Sequence, residues 1–375
     1  MIYTVTQPSL RVRSSPSTLI GKIIATLPAG FKVRGKRIVS GAAVGGQTGW
    51  LEIDCENLVG ESSYSKSLGY VSLAFLRKDT AEVTPPQGQA NKIYRIGYNA
   101  IAGDGHQLAV EEAGRGCRYF VILNSNTLAY NIAKQYPDAT VMVRKYTTAG
   151  HLSLRQMLDL LEVGVNSQLL PNMVYIGYNE ADTMAQDGPD LAERLKLDLE
   201  AAAYIRSKGG SYAAGSFSMG TPEFLSDQVC KTIKDIISPT YNRGEIGFDM
   251  HLYSPNPNHI KDPAAHIWYE TRWKFLFDKC GFDPMVRNIF CSETGLDEGG
   301  VGGFPAHSYS EEQVKEWMAL NIAAQTAPFT VNGKQYPSPV RGQAIFAVGD
   351  NGDARWRGYN ATQYVPTIRE FYGKY

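Results

Sequence analysis

Tyr175-Ile-Gly-Tyr-Asn-Glu180 and Asn288-Ile-Phe-Cys-Ser-Glu-Thr-Gly295 share one design. Each is a short apolar, β-rich run that delivers a glutamate, Glu180 in the first and Glu293 in the second, and each is followed by a loop and a helix-like stretch. Barrels of parallel strands carry their reactive groups at the C-terminal strand ends, so the two runs predict two carboxyls raised onto one face of such a barrel.

Outward from these runs the same strand, loop, helix order repeats from Ile93 to the end of the chain. Strands are expected at 93–98, 118–123, 140–145, 172–178, 211–216, 245–252, 287–292 and 342–348. Between them, Leu191, Leu195, Leu199 and Ala203 recur at helical spacing within a helix expected over 191–208, and Ser310-Glu-Glu opens another over 310–324. Eight strands alternating with helices over about 280 residues fit an α/β fold of the TIM (β/α)8 barrel type. The structural rival, a doubly wound open sheet, lacks support because no glycine-rich phosphate loop follows the first strand. Gly299-Gly-Val-Gly-Gly303 follows Glu293 and has no Lys-Ser/Thr of a P-loop, so it reads as the rim of a cleft.

Residues 80–92 contain Pro85-Pro86, a glycine and almost no large apolar side chain, which marks a linker. Before it, residues 1–79 form short β-type runs separated by Gly, Ser and Pro. Ser9-Leu-Arg-Val-Arg-Ser-Ser-Pro-Ser17, Gly21 to Gly30 with its Leu-Pro-Ala-Gly end, Gly49-Trp50 and Gly69-Tyr70-Val-Ser72 together resemble the bacterial SH3-like domain. That resemblance implies a small all-β barrel that holds an enzyme on cell-wall or other polymeric glycan. An insert-like stretch over 54–68 departs from the family pattern. Trp50 and Tyr70 offer a sugar-stacking face, but an aromatic in so small a barrel is more often core.

Lys+Arg and Asp+Glu both number 37 in the 375 residues, so no long-range field steers nucleic acid or an anionic membrane, and a neutral partner fits better. No apolar run approaches the roughly 20 residues of a membrane span. The N-terminus has no basic segment and apolar core of a secretory signal. An extracellular or cell-envelope location is therefore expected by phage-type release or after trimming of a signal, and a monomer is expected. Five cysteines, at 55, 117, 230, 280 and 291, show no CxxC spacing and read as buried free thiols. His106, His151, His259, His266 and His307 are scattered without metal-ligand spacing, so neither a metal nor another cofactor is expected.

Asn179-Glu180 at the end of the fourth expected strand and Glu293 at the end of the seventh resemble the clan of TIM-barrel retaining glycoside hydrolases. The match is one of motif order over Ile93–Tyr375. The resemblance implies Glu180 as acid/base, Glu293 as nucleophile and Asn179 as donor to a sugar 2-hydroxyl. Such double displacement needs the carboxyls roughly 5 Å apart. In Phe248-Asp-Met-His-Leu-Tyr-Ser254, which resembles the clan's His-x-Tyr segment, Asp249, His251 and Tyr253 share one parity and should point into the barrel. Tyr253 is then placed to hydrogen-bond Glu293, and His251 to line the sugar site. Asn124 ends strand two, Arg144 and Lys145 end strand three, and Trp356 follows strand eight where the clan often has a Trp at the strand end itself; all are pocket candidates. Asp297, Glu298 and Asp350 are weaker ones.

A single glutamate after a strand is commonplace, and a solvated loop carboxylate is the ordinary explanation for one alone. The joint pattern favours a retaining hydrolase of a polysaccharide or oligosaccharide, with bacterial cell-wall glycan one candidate. The competing readings are a non-catalytic glycan-binding protein on a degenerate TIM barrel and a metal-dependent barrel hydrolase, which clustered His and Asp at strand ends would have favoured.

Overall fold

The computed structural model describes residues 2–6, 9–18, 22–28, 32–44, 47–54, 68–78, 94–101, 103–147, 152–180, 189–262, 265–297, 302–350 and 352–372. The linker at 80–92, Cys55, most of the 54–68 insert, His151, Glu298 and the start of the glycine-rich rim lie outside these residues. The chain divides into two compact units, Met1–Gly88 and Gln89–Tyr375.

The first unit is all β. Strands β1 (Ile2–Val5), β2 (Ser9–Arg13), β3 (Ile23–Pro28), β4 (Lys32–Val44), β5 (Gln47–Asp54), β6 (Leu68–Ser72) and β7 (Leu76–Lys78) form one antiparallel sheet in the order β3-β2-β6-β5-β4-β1-β7. Alternation along β2 buries Leu10 and Val12 with Tyr3, Val5, Leu51, Ile53 and Val71. Trp50 is 1% exposed and its indole N–H donates to the Ala42 carbonyl at 2.8 Å, so it belongs to the packed interior. Tyr70 is half-buried and donates to Glu52 Oε2 at 3.1 Å.

In the second unit eight parallel strands close a barrel: β8 (Arg95–Ala100), β9 (Tyr119–Leu123), β10 (Thr140–Arg144), β11 (Met173–Ile176), β12 (Ser211–Phe217), β13 (Gly247–Ser254), β14 (Ile289–Leu296) and β17 (Val340–Val348). A small hairpin, β15 (Phe329–Val331) and β16 (Lys334–Tyr336), precedes the last strand. The crossovers hold α1 (Asp104–Gly114), α2 (Asn126–Gln135), α3 (Leu154–Leu160), α4 (Pro189–Ser207), α5 (Asp227–Ile236), α6 (Ser238–Asn242), α7 (Lys274–Asp278) and α8 (Glu311–Thr326), with α9 (Ala354–Arg357) and α10 (Val365–Arg369) closing the chain. This is a TIM barrel, and each of its eight strands overlaps one expected from the sequence. Local signals start the helices where they stand: Ser153 with Gln156 and Ser310 with Gln313 form capping boxes, and Ser125 and Ser226 cap α2 and α5. Among the described residues no helix is long and apolar enough to cross a membrane.

Strand parity divides the interior into two layers. Outward residues such as Phe248, Met250 and Leu252 pack under the helices in the main core, while Tyr119, Val121, Met142, Val174, Ile176, Ala213, Phe290 and Ala344 form a separate cluster. Tyr119 spans this inner layer: its hydroxyl meets the Cys291 carbonyl at 3.3 Å, and the Cys291 N–H donates to it at 3.2 Å. Seating that ring brings the Tyr119 backbone against β8 at Gly97, where an added Cβ would fall 1.5 Å from the Tyr119 carbonyl oxygen. Only glycine fits there. Cys117, Cys230, Cys280 and Cys291 are free and buried.

Candidate active site

The C-terminal ends of β10, β13 and β14 and the turn after β11 bring five of the singled-out side chains together. Glu180 stands in that turn with φ 49°, and its N–H donates to the Ser216 carbonyl at 3.0 Å, which fixes the direction in which the side chain leaves. Glu293 sits within β14 and is 4% exposed. The two carboxylates and the His251 imidazole each offer an atom within 4.8 Å of the others. His251 Nδ1 lies 2.8 Å from Glu180 Oε1 and 3.2 Å from Glu293 Oε2, so it bridges the pair. Ionised carboxylates only accept, so Nδ1 carries the proton that both share.

Glu293 is held on both oxygens. Tyr253 donates to Oε2 at 2.7 Å, and the Arg144 guanidinium pairs with Oε1. Arg144 is buried and comes from the end of β10. Its neighbour Lys145 turns the other way, to Glu162 at 2.6 Å, as alternation along a strand requires. Burial together with the Glu180 charge pushes the Tyr253 phenol well above its ordinary value, so it stays a donor. For Glu180, burial pushes the carboxyl up, but the hydrogen bond and charge of His251 and the charge of Arg144 outweigh it and leave the group below its ordinary value. Its partners, not its burial, thus decide the direction of the Glu180 shift.

A β-bulge supports the imidazole from behind. The register of β12 against β13 slips between Gly215 and Phe217, with φ of 102° at Gly215 and 53° at Ser216. A Cβ at Gly215 would lie 2.8 Å from the Asp249 carbonyl oxygen, so the backbone there is both left-handed and crowded. The slip turns Ser216 inward, where its hydroxyl meets His251 Nε2 at 3.2 Å. Arg194 of α4 stacks over Tyr178 and Phe217 and donates to the Gly215 carbonyl, while Asp198 accepts from the Gly215 N–H at 3.2 Å. Below them Asp249 is fully buried and accepts from the Ser292 N–H at 2.9 Å and the Ser292 hydroxyl at 2.6 Å. Burial raises its pKa, against the His251 charge and its hydrogen bonds from Ser292 and Ser216.

An aromatic wall borders the carboxylates. Tyr253, Phe346, Ile101 and Leu123 form a cluster against which Met219, Trp356 and Tyr359 pack. Phe346 meets Tyr253 at 6.4 Å, Trp356 at 5.6 Å and Tyr359 at 5.4 Å between ring centroids. Trp356 thus joins the site through Phe346, which holds the end of the last strand. Asn179 stands beside Glu180, half-buried. Asn124 has its amide oxygen occupied by the Tyr146 N–H at 2.9 Å and donates its own N–H to the Arg144 carbonyl, so it shapes the turn that carries Arg144. Asp297 accepts from the Tyr359 hydroxyl at 3.1 Å, and Asp350 caps the turn at Gly352. Two carboxylates and an imidazole are a conceivable ligand set for a metal, but here they are engaged with one another, and Arg144 already places a fixed cation on Glu293.

Sequence reasoning did not single out Ser216, Phe346, Tyr359 or Arg194. Gly215 inside a strand was the available signal for the bulge. Nothing in the local sequence marks Arg194, which lies on α4 some 14 residues after Glu180.

No family model matches the chain, and it matches none of the curated protein sequences compared with it. Among solved structures it is similar to XacCel5A in complex with cellopentaose, with 11% identity over 74% of this chain and 99% of that one and a TM-score of 0.40. It is also similar to the catalytic domain of a mannanase from Streptomyces sp. SirexAA-E, with 13% identity over 70% of this chain and 78% of that one and a TM-score of 0.39.

Proposed function

We propose that this chain is a retaining glycoside hydrolase acting on a polysaccharide, with Glu180 as acid/base and Glu293 as nucleophile. The observation that carries the reading is the pair itself: two carboxylates from strands four and seven of the barrel, with oxygens within 4.8 Å of each other on the face where barrels do chemistry. Oxygens this close suit direct attack by one carboxylate on the anomeric carbon, which supports a retaining over an inverting mechanism.

In the reaction, Glu180 protonates the glycosidic oxygen while Glu293 attacks the anomeric carbon, forming a glycosyl ester and releasing the aglycone alcohol. Water then gives its proton to Glu180 and its oxygen to the anomeric carbon, which returns Glu293 as carboxylate. Arg144 and Tyr253 hold the two oxygens of Glu293 and aim it before attack. His251 donates to Glu180 and supplies charge near it. Phe346, Trp356 and Tyr359 give an aromatic floor suited to the apolar face of a sugar. The N-terminal β unit is proposed as a tether to polymeric glycan, on its resemblance to bacterial SH3-like domains, and bacterial cell wall is the first substrate to try.

The test is hydrolysis of an aryl β-glycoside panel and of peptidoglycan, β-glucan, mannan, xylan and chitin, with the product anomer read by NMR. Glu293→Gln should lower turnover by at least roughly 10⁴-fold and Glu180→Gln by on the order of 10²–10⁴-fold. Azide should rescue Glu293→Gly and give a glycosyl azide of inverted configuration. Full activity in either glutamine variant, or an inverted hydrolysis product, rejects the assignment.

A further inference from the structure

The connections after β12 and β13 enclose a second recess on the barrel, of about 350 Å3, lined on its apolar side by Phe224, Leu225, Trp268, Tyr269 and Phe275. We propose that it is a distal subsite holding one pyranose unit of the polymer, stacked on Trp268; the proposal rests on the glycosidase reading above.

Trp268 is set apart from the other tryptophans. Trp50, Trp273 and Trp317 are at most 1% exposed and Trp356 is half-buried, whereas Trp268 is 43% exposed. Its ring leans on Phe275 at 5.1 Å and 39°, which supports it from one side. Leu225, 64% exposed, lines the same recess, so the two present an exposed apolar patch rather than one isolated side chain, and such patches mark ligand-binding grooves.

The polar groups of the recess suit a sugar. The Leu225 N–H donates to Glu223 Oε1 at 2.8 Å and orients that carboxylate at the rim. His259 has its Nδ1 held by Glu270 at 3.1 Å, which fixes the ring and directs its other nitrogen away from Glu270. A pyranose presents an apolar C–H face to an indole and hydroxyls at its edge to a carboxylate and an imidazole. A nucleotide fits poorly: the arginine present, Arg272, spends its fork on the Ser218 and Pro222 carbonyls at 3.1 and 2.8 Å, and a carboxylate stands at the rim.

The recess also shares a wall with the catalytic cleft. Met219 packs on the Tyr253–Phe346 cluster, and the next residue, Gly220, lines the recess. One chain segment, residues 218–220, therefore borders both, and Arg272 holds it through the Ser218 carbonyl. On this proposal a polymer bound at Glu180 and Glu293 extends along that segment to Trp268. The recess therefore rewards oligomers long enough to cross it.

The experiment uses the full chain as wild type, Trp268→Ala and Trp268→Phe, with β-1,4-linked oligomers of glucose, mannose, xylose and N-acetylglucosamine of two to six units. For the series that wild type cleaves, kcat/KM should rise with length, and the six-unit to two-unit ratio should fall by roughly 5- to 10-fold in Trp268→Ala, with most of it kept in Trp268→Phe. An unchanged ratio in Trp268→Ala overturns the subsite. Calorimetric binding of the six-unit oligomers is measured alongside on the same proteins. If wild type cleaves neither aryl glycosides nor any oligomer, the glycosidase reading fails, and the subsite is judged on binding alone. Weaker binding by Trp268→Ala supports it, and equal or absent binding overturns it.

Discussion

At the residue scale, the unexpected feature is that Glu180 is held below the ordinary carboxylate range, by a hydrogen bond from His251 and by the charges of His251 and Arg144. In the proposed reaction Glu180 must carry its proton, so it is competent only on the acid side of its lowered pKa. The alkaline limb of kcat/KM should fall in the acidic range. His251→Asn removes a positive charge that lowers the Glu180 pKa, so the limb should move to higher pH. A shift to lower pH instead would show that the proton lost belongs to the His251–Glu180 pair as a unit. The limb should vanish in Glu180→Gln on a substrate whose leaving group needs no protonation. Tyr253→Phe removes one charge-assisted donor from Glu293 Oε2, worth about 1.5–3 kcal/mol. Turnover should drop by roughly 10- to 100-fold, measured on protein that still melts cooperatively. Equal activity would place Tyr253 outside the reaction.

At the scale of elements, the β12 bulge connects packing to chemistry. Arg194 and Asp198 on α4 grip Gly215 from behind, and Ser216 reaches Glu180 twice, by its carbonyl and through His251. Gly215→Ala puts a Cβ at φ 102° and 2.8 Å from the Asp249 carbonyl oxygen. It should cost about 1–3 kcal/mol of stability and lower activity together, measured by thermal denaturation and kcat. Ser216→Ala removes the hydroxyl that meets His251 Nε2 and hydrogen-bonds the buried Asp249. It should lower kcat and shift the pH profile; a profile that does not move would reduce the bulge to a packing feature. Gly97→Ala drives a Cβ into the Tyr119 carbonyl and should prevent the barrel from closing, read as loss of soluble protein.

At the scale of the whole molecule, the two compact units, Met1–Gly88 and Gln89–Tyr375, each hold their own apolar core. A chain beginning near Asn91 should therefore fold alone, checked by circular dichroism and a cooperative melt. On the proposed reading it should hydrolyse an aryl glycoside and lose activity on insoluble polymer, because a tether would contribute local concentration at the solid surface. Undiminished activity on insoluble glycan would remove the tether role. An insoluble truncation would show that the β unit is required for the barrel to fold.

The eight barrel strands, the capped start of α8 and the inward parity of Asp249, His251 and Tyr253 were legible in the sequence. Each is set by short-range physics: alternation with a period of two, helical spacing and caps that satisfy backbone groups within a few residues. Glu180 was legible as a group just past a strand end, whereas Glu293, expected to end the seventh strand, lies within β14, which runs on to Leu296. Other features belong to the tertiary structure alone. Arg144 rather than Lys145 faces Glu293, Phe346 carries Trp356 to the site, and Ser216 turns inward because α4, β12 and β13 meet in one register. The depressed acid is of that kind too: its cause is an imidazole 71 positions along the chain from Glu180, brought to 2.8 Å only when the barrel closes. Local sequence fixes which groups a strand can present, whereas the electric field each group feels is a sum over partners that only closure assembles.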